Sequence, residues 1–289
     1  MAAKNSKSSL FSRENIYQFA GLLISIVSIS LIYELPKLGI RAQAAKIQIT
    51  NTLKAAQQSD TGFVPERTIF VIIKDYEQQV CFTLMVWAMM IVIYKLRQVW
   101  QEKSILNDNL LDIETGERII PEEALAHLKE VETRFFNIPQ YADKLLPRIV
   151  LTALRRFHSS HSIQDVSQAV REISESEADR LDSELSLVRY VAWAIPSVGF
   201  VGTVRGIGEA LTKADQAIRG NIQGVTDSLG LAFNSTLIAL FLSIILMYFI
   251  HLLQSRQESL ILETEEYCRN QLLAVMKIPY KEESEMSIT

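Results

Sequence analysis

Four long apolar stretches divide this chain of 289 residues: about Ile16–Leu35, Val80–Leu96, Leu187–Leu211 and Ser228–Leu253. A hydrocarbon core of ~30 Å is crossed by about 20 helical residues, so each stretch is read as a membrane span. The second is the shortest, with a clean run over Val80–Tyr94, and takes Lys95, Arg97 and Trp100 as interfacial anchors. Basic residues at positions 4, 7, 13, 95, 97 and 103 put the N-terminus and the segment after span two in the cytoplasm. An even number of spans returns the C-terminus to the same side. The expected organisation is a cytoplasmic N-terminus (1–15), spans at 16–35, 80–96, 187–211 and 228–253, outer segments 36–79 and 212–227, a cytoplasmic block 97–186 and a cytoplasmic tail 254–289. Ile16–Tyr33 exceeds a usual signal-peptide core, and no small-x-small cleavage site follows it before Glu34-Leu-Pro36, so it is read as a retained span.

Outside the spans the helical period continues. Leu38–Ala56 reads as a helix broken by Ser59-Asp-Thr-Gly62 and Pro65, either a surface helix with a loop or a docking surface for an envelope partner. Leu111–Ile120 suits a small hairpin or a loop around Thr115-Gly116, and Pro121-Glu-Glu starts a helix with acids at its positive end. Pro139 and Pro147 punctuate two further pieces. From Ser162, Ile163, Val166, Val170, Ile173, Leu181, Leu185 and Val188 recur at helical spacing with no Gly or Pro before Pro196, which predicts one long helix rising into span three. The tail after span four repeats the pattern. The fold class is therefore an all-α integral membrane protein, with four transmembrane helices and long cytoplasmic helical extensions.

The last two spans differ from a lone anchor. Gly199, Gly202, Thr203, Gly206 and Ala210 fall near one face of span three, and Ala232, Thr236, Ala239 and Ser243 form a matching stripe on span four. At 1.5 Å per residue, Thr203 lies ~21 Å from the inner face counted from Arg189, and Thr236 ~24 Å from it counted from Leu252. Two antiparallel helices thus bring both hydroxyls to one height, where they can hold water and exchange hydrogen bonds without being charged. The alternative is that Thr203, Ser235 and Thr236 bond their own helix carbonyls, as hydroxyls often do in membrane helices. Asn234 serves either a helix–helix hydrogen bond or a pore lining.

These residues carry a resemblance. Pro196, Gly199, Gly202, Thr203, Gly206 and Ile207 resemble the pattern P-x-x-G-x-x-G-T-V-x-G-I of the MotA/TolQ/ExbB family of proton-channel subunits, and Ala232–Ile245 is similar to the family's last helix, with Thr236 at the family threonine. Two positions depart from the TolQ/ExbB branch: Arg205 replaces an aromatic, and Ala239 a glycine. The resemblance implies Thr203 and Thr236 as a hydroxyl pair on the proton path, with Ser235, Asn234 and Ser243 as weaker members. Pro196, Gly199, Gly202, Gly206, Ala232 and Ala239 would shape and pack the helices. It further implies a homopentamer in the bacterial inner membrane enclosing a dimer of a single-span partner that resembles ExbD, TolR or MotB. No Asp or Glu lies in the middle of any span, so the titratable Asp is expected on that partner.

Arg205 would snorkel or pair with Glu209 one turn on, or form an electrostatic gate or partner salt bridge at the outer mouth. A flagellar-type stator and a non-conducting scaffold are the alternative functions. The composition, 48% hydrophobic with a net charge of −4, gives no reason to expect nucleic acid as a partner. Cys81 and Cys268 are assigned to opposite sides of the membrane, which excludes an intrachain disulfide. His158-Ser-Ser-His161 lacks further ligands for a metal site. No phosphate loop or triad-like arrangement appears, so neither enzymatic activity nor a cofactor is expected.

Overall fold

The computed structural model describes residues 13–36, 38–57, 68–106, 118–136, 144–220 and 222–277. In chain order the helices are α1 (Arg13–Glu34), α2 (Ile40–Gln57), α3 (Ile69–Ile72), α4 (Tyr76–Leu106), α5 (Ala124–Phe136), α6 (Leu145–Ser160), α7 (Ile163–Glu184), α8 (Ser186–Thr212), α9 (Ala214–Ile218) and α10 (Gln223–Tyr267), followed by a π-helical turn at Cys268–Leu273. Among the described residues there is no β-strand, and four helical stretches are long and apolar enough to cross a membrane: Ile16–Glu34, Tyr76–Leu106, Ile163–Thr212 and Gln223–Leu273. Lys4, Lys7, the Ser59–Gly62 break with Pro65, the Thr115-Gly116 turn and Pro139 lie outside the described residues.

The chain forms two compact units, Met1–Tyr94 with Ser186–His251, and Lys95–Leu185 with Leu252–Thr289. In the first, α1 and α4 pack antiparallel. Tyr17 stacks on Tyr94 with ring centroids 4.3 Å apart, and the Trp87 indole donates to Gln18 O at 2.9 Å. At the other end Gln79 Nε2 donates to Ser30 Oγ at 3.3 Å. Arg41, on α2, ties this end together: it pairs with Glu34, donates to Gln79 Oε1 (2.5 Å) and Lys74 O (3.3 Å), and stands 3.9 Å over the Tyr76 ring. One guanidinium thus satisfies acceptors on several elements at once, as its planar fork allows. Outward, α1 exposes Phe19, Leu23, Val27 and Leu31, the surface expected of a helix facing lipid or another apolar partner.

The second unit has an ordinary apolar core. Leu145, Ile149, Leu154 and Phe157 of α6 meet Val166 and Val170 of α7, with Cys268, Leu272 and Met276 from the end of the chain. Each such fully buried side chain contributes ~1.5–3 kcal/mol relative to exposure. Ser162 caps α7 by accepting the Asp165 N–H at 3.3 Å. Pro147 sits in the first turn of α6, where an N–H would lack an intrahelical acceptor. The described end of the expected hairpin pairs elsewhere: Ile119 forms a single parallel bridge with Met276, through Ile119 N to Val275 O and Lys277 N to Ile119 O, both 3.0 Å. The two histidines have structural uses, His158 Nδ1 lying 2.9 Å from Pro121 O and His161 ending α6 with a left-handed φ of 53°. Cys81 and Cys268 are both free and buried.

Two expectations need correcting. The long helix leading into span three is interrupted at Leu185, a one-residue turn between α7 and α8 whose N–H bonds Asp182 O at 3.2 Å. Lys95 is not an interfacial anchor with its head in water. Its side chain is 3% exposed and its ammonium meets Glu184 Oε2 at 2.7 Å. Neither feature leaves a mark in apolar periodicity, because Leu185 keeps its place in the repeat and Lys95 looks like any basic flank.

Candidate functional site

The site arises where α8 and α10 run antiparallel at glycine contact. Had Gly199 a Cβ, it would overlap Ala239 Cβ and lie 3.1 Å from Ser235 O; on Gly202 it would lie 2.6 Å from Ser235 Cβ; on Gly206 it would lie 2.8 Å from both Ala232 Cβ and Ser228 O. Real Cβ atoms do not approach this closely, so each glycine is required by the neighbouring helix. The contact steps along both helices every three to four residues, which is the small-residue packing that substitutes for hydrophobic association in lipid. Ala232 and Ala239 are fully buried in it.

This approach puts the two threonine hydroxyls in direct hydrogen-bond contact. Thr203 Oγ1 also lies 3.1 Å from Ala232 O on α10, and Thr236 Oγ1 lies 3.2 Å from Gly199 O on α8. The bond from Thr203 to its own helix, at Gly199 O, is the longest of the set at 3.4 Å. Each hydroxyl has one proton, so the pair has two arrangements. Either Thr203 donates to Thr236, which donates to Gly199 O, or Thr236 donates to Thr203, which donates to Ala232 O or, at longer range, to Gly199 O. Reversing such a chain is how hydroxyls relay a proton without becoming ionised.

Ser235 instead donates to its own helix, at Leu231 O (2.9 Å), while its Cβ fills the notch over Gly202. Asn234 is half-buried on α10. Ser243 has a role that the sequence motif did not disclose. Pro196 lacks an N–H, so the Ala192 carbonyl four residues earlier loses its intrahelical donor. Ser243 Oγ donates to that carbonyl at 2.9 Å. A Ser243→Ala variant should therefore lose about 1 kcal/mol, the scale of interhelical hydrogen bonds in membranes. The same change in a Pro196→Ala background, where the intrahelical bond returns, should be near neutral. Thermal unfolding of the four variants in detergent checks this cycle.

Arg205 pairs with Glu209, as expected, and finds a second, closer partner. Its Nε and Nη2 meet Glu77 Oε1 at 2.7 Å and Oε2 at 2.9 Å, a two-pronged pair, whereas Glu209 lies 3.8 Å away. Glu77 lies in the first turn of α4, 128 residues away, and its side chain is only 12% exposed. Sequence reading missed it because an acid just ahead of an apolar run is indistinguishable from a helix-start residue. A cation in the outer half of a span with no close acid of good orientation was the available signal. Nearby, burial raises the Asp75 carboxyl above its usual range, with Lys74 and then Arg205 opposing the shift.

Among the described residues no group of His, Cys, Asp and Glu could hold a metal ion. The model of the MotA/TolQ/ExbB proton channel family matches residues 141–266, which include all of α8 and nearly all of α10. Neither a curated protein nor a solved structure matches the chain. The four span-length apolar helices and this match mark a multi-pass membrane protein, of which residues 141–266 are similar to the MotA/TolQ/ExbB proton channel family.

Proposed function

We propose that this protein is the ring-forming subunit of a proton-driven motor in the bacterial inner membrane, with both termini in the cytoplasm. Several copies, five by family analogy, enclose two copies of a single-span partner carrying a membrane Asp. Proton transfer between that carboxyl and the Thr203–Thr236 pair drives motion of one component against the other. The observation that carries this reading is the interhelical hydroxyl pair, seated in a glycine-lined contact inside the family-matched segment. A bond between hydroxyls across two helices also serves packing, so the channel reading is favoured over a scaffold by the pair's place inside the family-matched segment. The apolar faces left open on α8 (Trp193, Phe200, Val204) and α10 (Phe233, Leu237, Phe241) support further helices or lipid around the pair. A buried carboxyl is costly when charged and tolerated when protonated, so proton occupancy of the partner couples to helix position.

The test is proton flux into liposomes holding the chain co-purified with its co-expressed single-span partner. Flux should require both proteins and drop by about 10²-fold or more in Thr236→Ala, the scale of losing a positioned proton-transfer group. Flux unchanged by Thr236→Ala and Thr203→Val, with assembly alone affected, would decide for a scaffold.

A further inference from the structure

We infer that Glu77 is a second titratable carboxylate on the proton path, supplied by this chain itself and held at the outer approach to the hydroxyl pair by Arg205. The inference rests on the proton-path reading above and extends it to α4, outside the family-matched residues.

Three observations place the group. First, Glu77 reaches the α8–α10 contact: its Cγ lies 3.3 Å from where a Cβ on Gly202 would be, and Ser235 Oγ lies 2.7 Å from the same point. The missing side chain of Gly202, adjacent in sequence to Thr203, is the space that the glutamate arm and the serine hydroxyl share. Second, the carboxylate is largely buried while its guanidinium partner is 40% exposed. The carboxylate therefore stands on the more enclosed side of the pair. Third, the pairing is bidentate between α4 and α8, which fixes the carboxylate's direction as a single ammonium contact would not. A purely structural brace between helices would satisfy its groups equally well without entering the glycine notch.

The chemistry balances as simple proton transfer. The Glu77 carboxylate takes a proton from hydronium at the outer mouth, leaving water, and its hold on Arg205 weakens. It then releases that proton inward through the hydroxyl pair to the partner's carboxylate, and the ion pair re-forms. The charged and titratable groups around Glu77 are Arg205 and Glu209 on α8, Asp75 and Lys74 just before α4, Cys81 one turn along α4, and Arg41 with Glu34 from α2 and α1. From α10 the neighbour is the uncharged Ser235.

The experiment is flux into liposomes containing the co-purified complex and an internal pH dye, measured against outer pH at fixed membrane potential. Wild type, Glu77→Gln, Glu77→Asp, the neutral pair Glu77→Gln with Arg205→Gln, and Thr236→Ala are compared. Wild-type flux should titrate with outer pH. Glu77→Gln should lower it about tenfold or more and flatten the titration, and Glu77→Asp should restore the titration. The neutral pair leaves no unpartnered Arg205 charge, so it assembles if Glu77→Gln alone does not, and it should show the same flattened profile. Wild-type pH dependence in Glu77→Gln or in the neutral pair overturns the inference, and so does a rise in flux, which would make the pair a plug. Loss of flux in Thr236→Ala alongside either result shows that the hydroxyl-pair reading stands while this extension fails. A wild-type complex that conducts nothing overturns both.

Discussion

Replacing Gly199 with leucine is expected to abolish the α8–α10 contact and, with it, recovery of the assembled membrane unit. A single Cβ at this position already overlaps Ala239 Cβ, and its next neighbours are backbone atoms, Ser235 O at 3.1 Å and Thr236 Cα at 3.3 Å. A side-chain neighbour can rotate away, but a helix backbone can only translate, which breaks every contact along the seam. Inserting bulk into a packed core typically costs about 1–3 kcal/mol when side chains can adjust, so a leucine against backbone should exceed that range. It would also part Thr203 from Thr236, whose bond depends on this separation. The measurement is yield of the monodisperse complex in mild detergent, with proton flux of whatever assembles. Gly199→Ala should be milder and partly rescued by Ala239→Gly, which removes the overlapping methyl. No rescue by that pair, or normal assembly of Gly199→Leu, would show that the helices do not meet at this register.

The next largest effect belongs to the Lys95–Glu184 pair. Substituting Glu184 with leucine should destabilise the second unit by about 3–5 kcal/mol, because an ammonium that is almost wholly buried loses its carboxylate counter-charge. Arg180, which lies 3.7 Å from Glu184 and bonds Glu177 at 2.6 Å, keeps its second carboxylate and contributes less to the loss. Replacing both partners, with Lys95→Met and Glu184→Leu, should recover most of the stability, since an apolar pair of similar volume avoids the desolvation of two charges. Thermal unfolding in detergent separates these cases. Equal stability of the wild type and Glu184→Leu would mean that Glu184 is not what holds the buried ammonium.

Much of the architecture was legible in the linear pattern. Span-length apolar runs must pair their backbone groups internally, which in lipid means helices, so the four spans follow from hydropathy alone. The positions of Gly199, Gly202, Gly206, Ala232 and Ala239 were readable for a similar reason: small residues at helical spacing have few uses in a span besides close packing. The rise per residue even set Thr203 and Thr236 at a common height, because both lie within helical spans whose ends are marked.

Tertiary structure decided what these rules leave degenerate. Ser235 and Thr236 are adjacent hydroxyls of equal polarity, yet one bonds its own helix and the other bonds across, because only Thr236 faces the gap over Gly199. Arg205 holds Glu77 more closely than Glu209, 2.7 Å against 3.8 Å, since a carboxylate delivered from another helix meets the guanidinium fork better than an intrahelical partner at i+4. Lys95 is an interior ion-pair member and not a lipid anchor, a distinction set by which helix covers it. The sequence by itself determined the spans, the glycine seam and the chemistry available on it, because hydrophobicity and side-chain size act locally along a helix. Which polar groups meet across that seam depended on helix rotation and approach, because a hydrogen bond or ion pair reports the distance between residues far apart in the chain, and no periodicity encodes it.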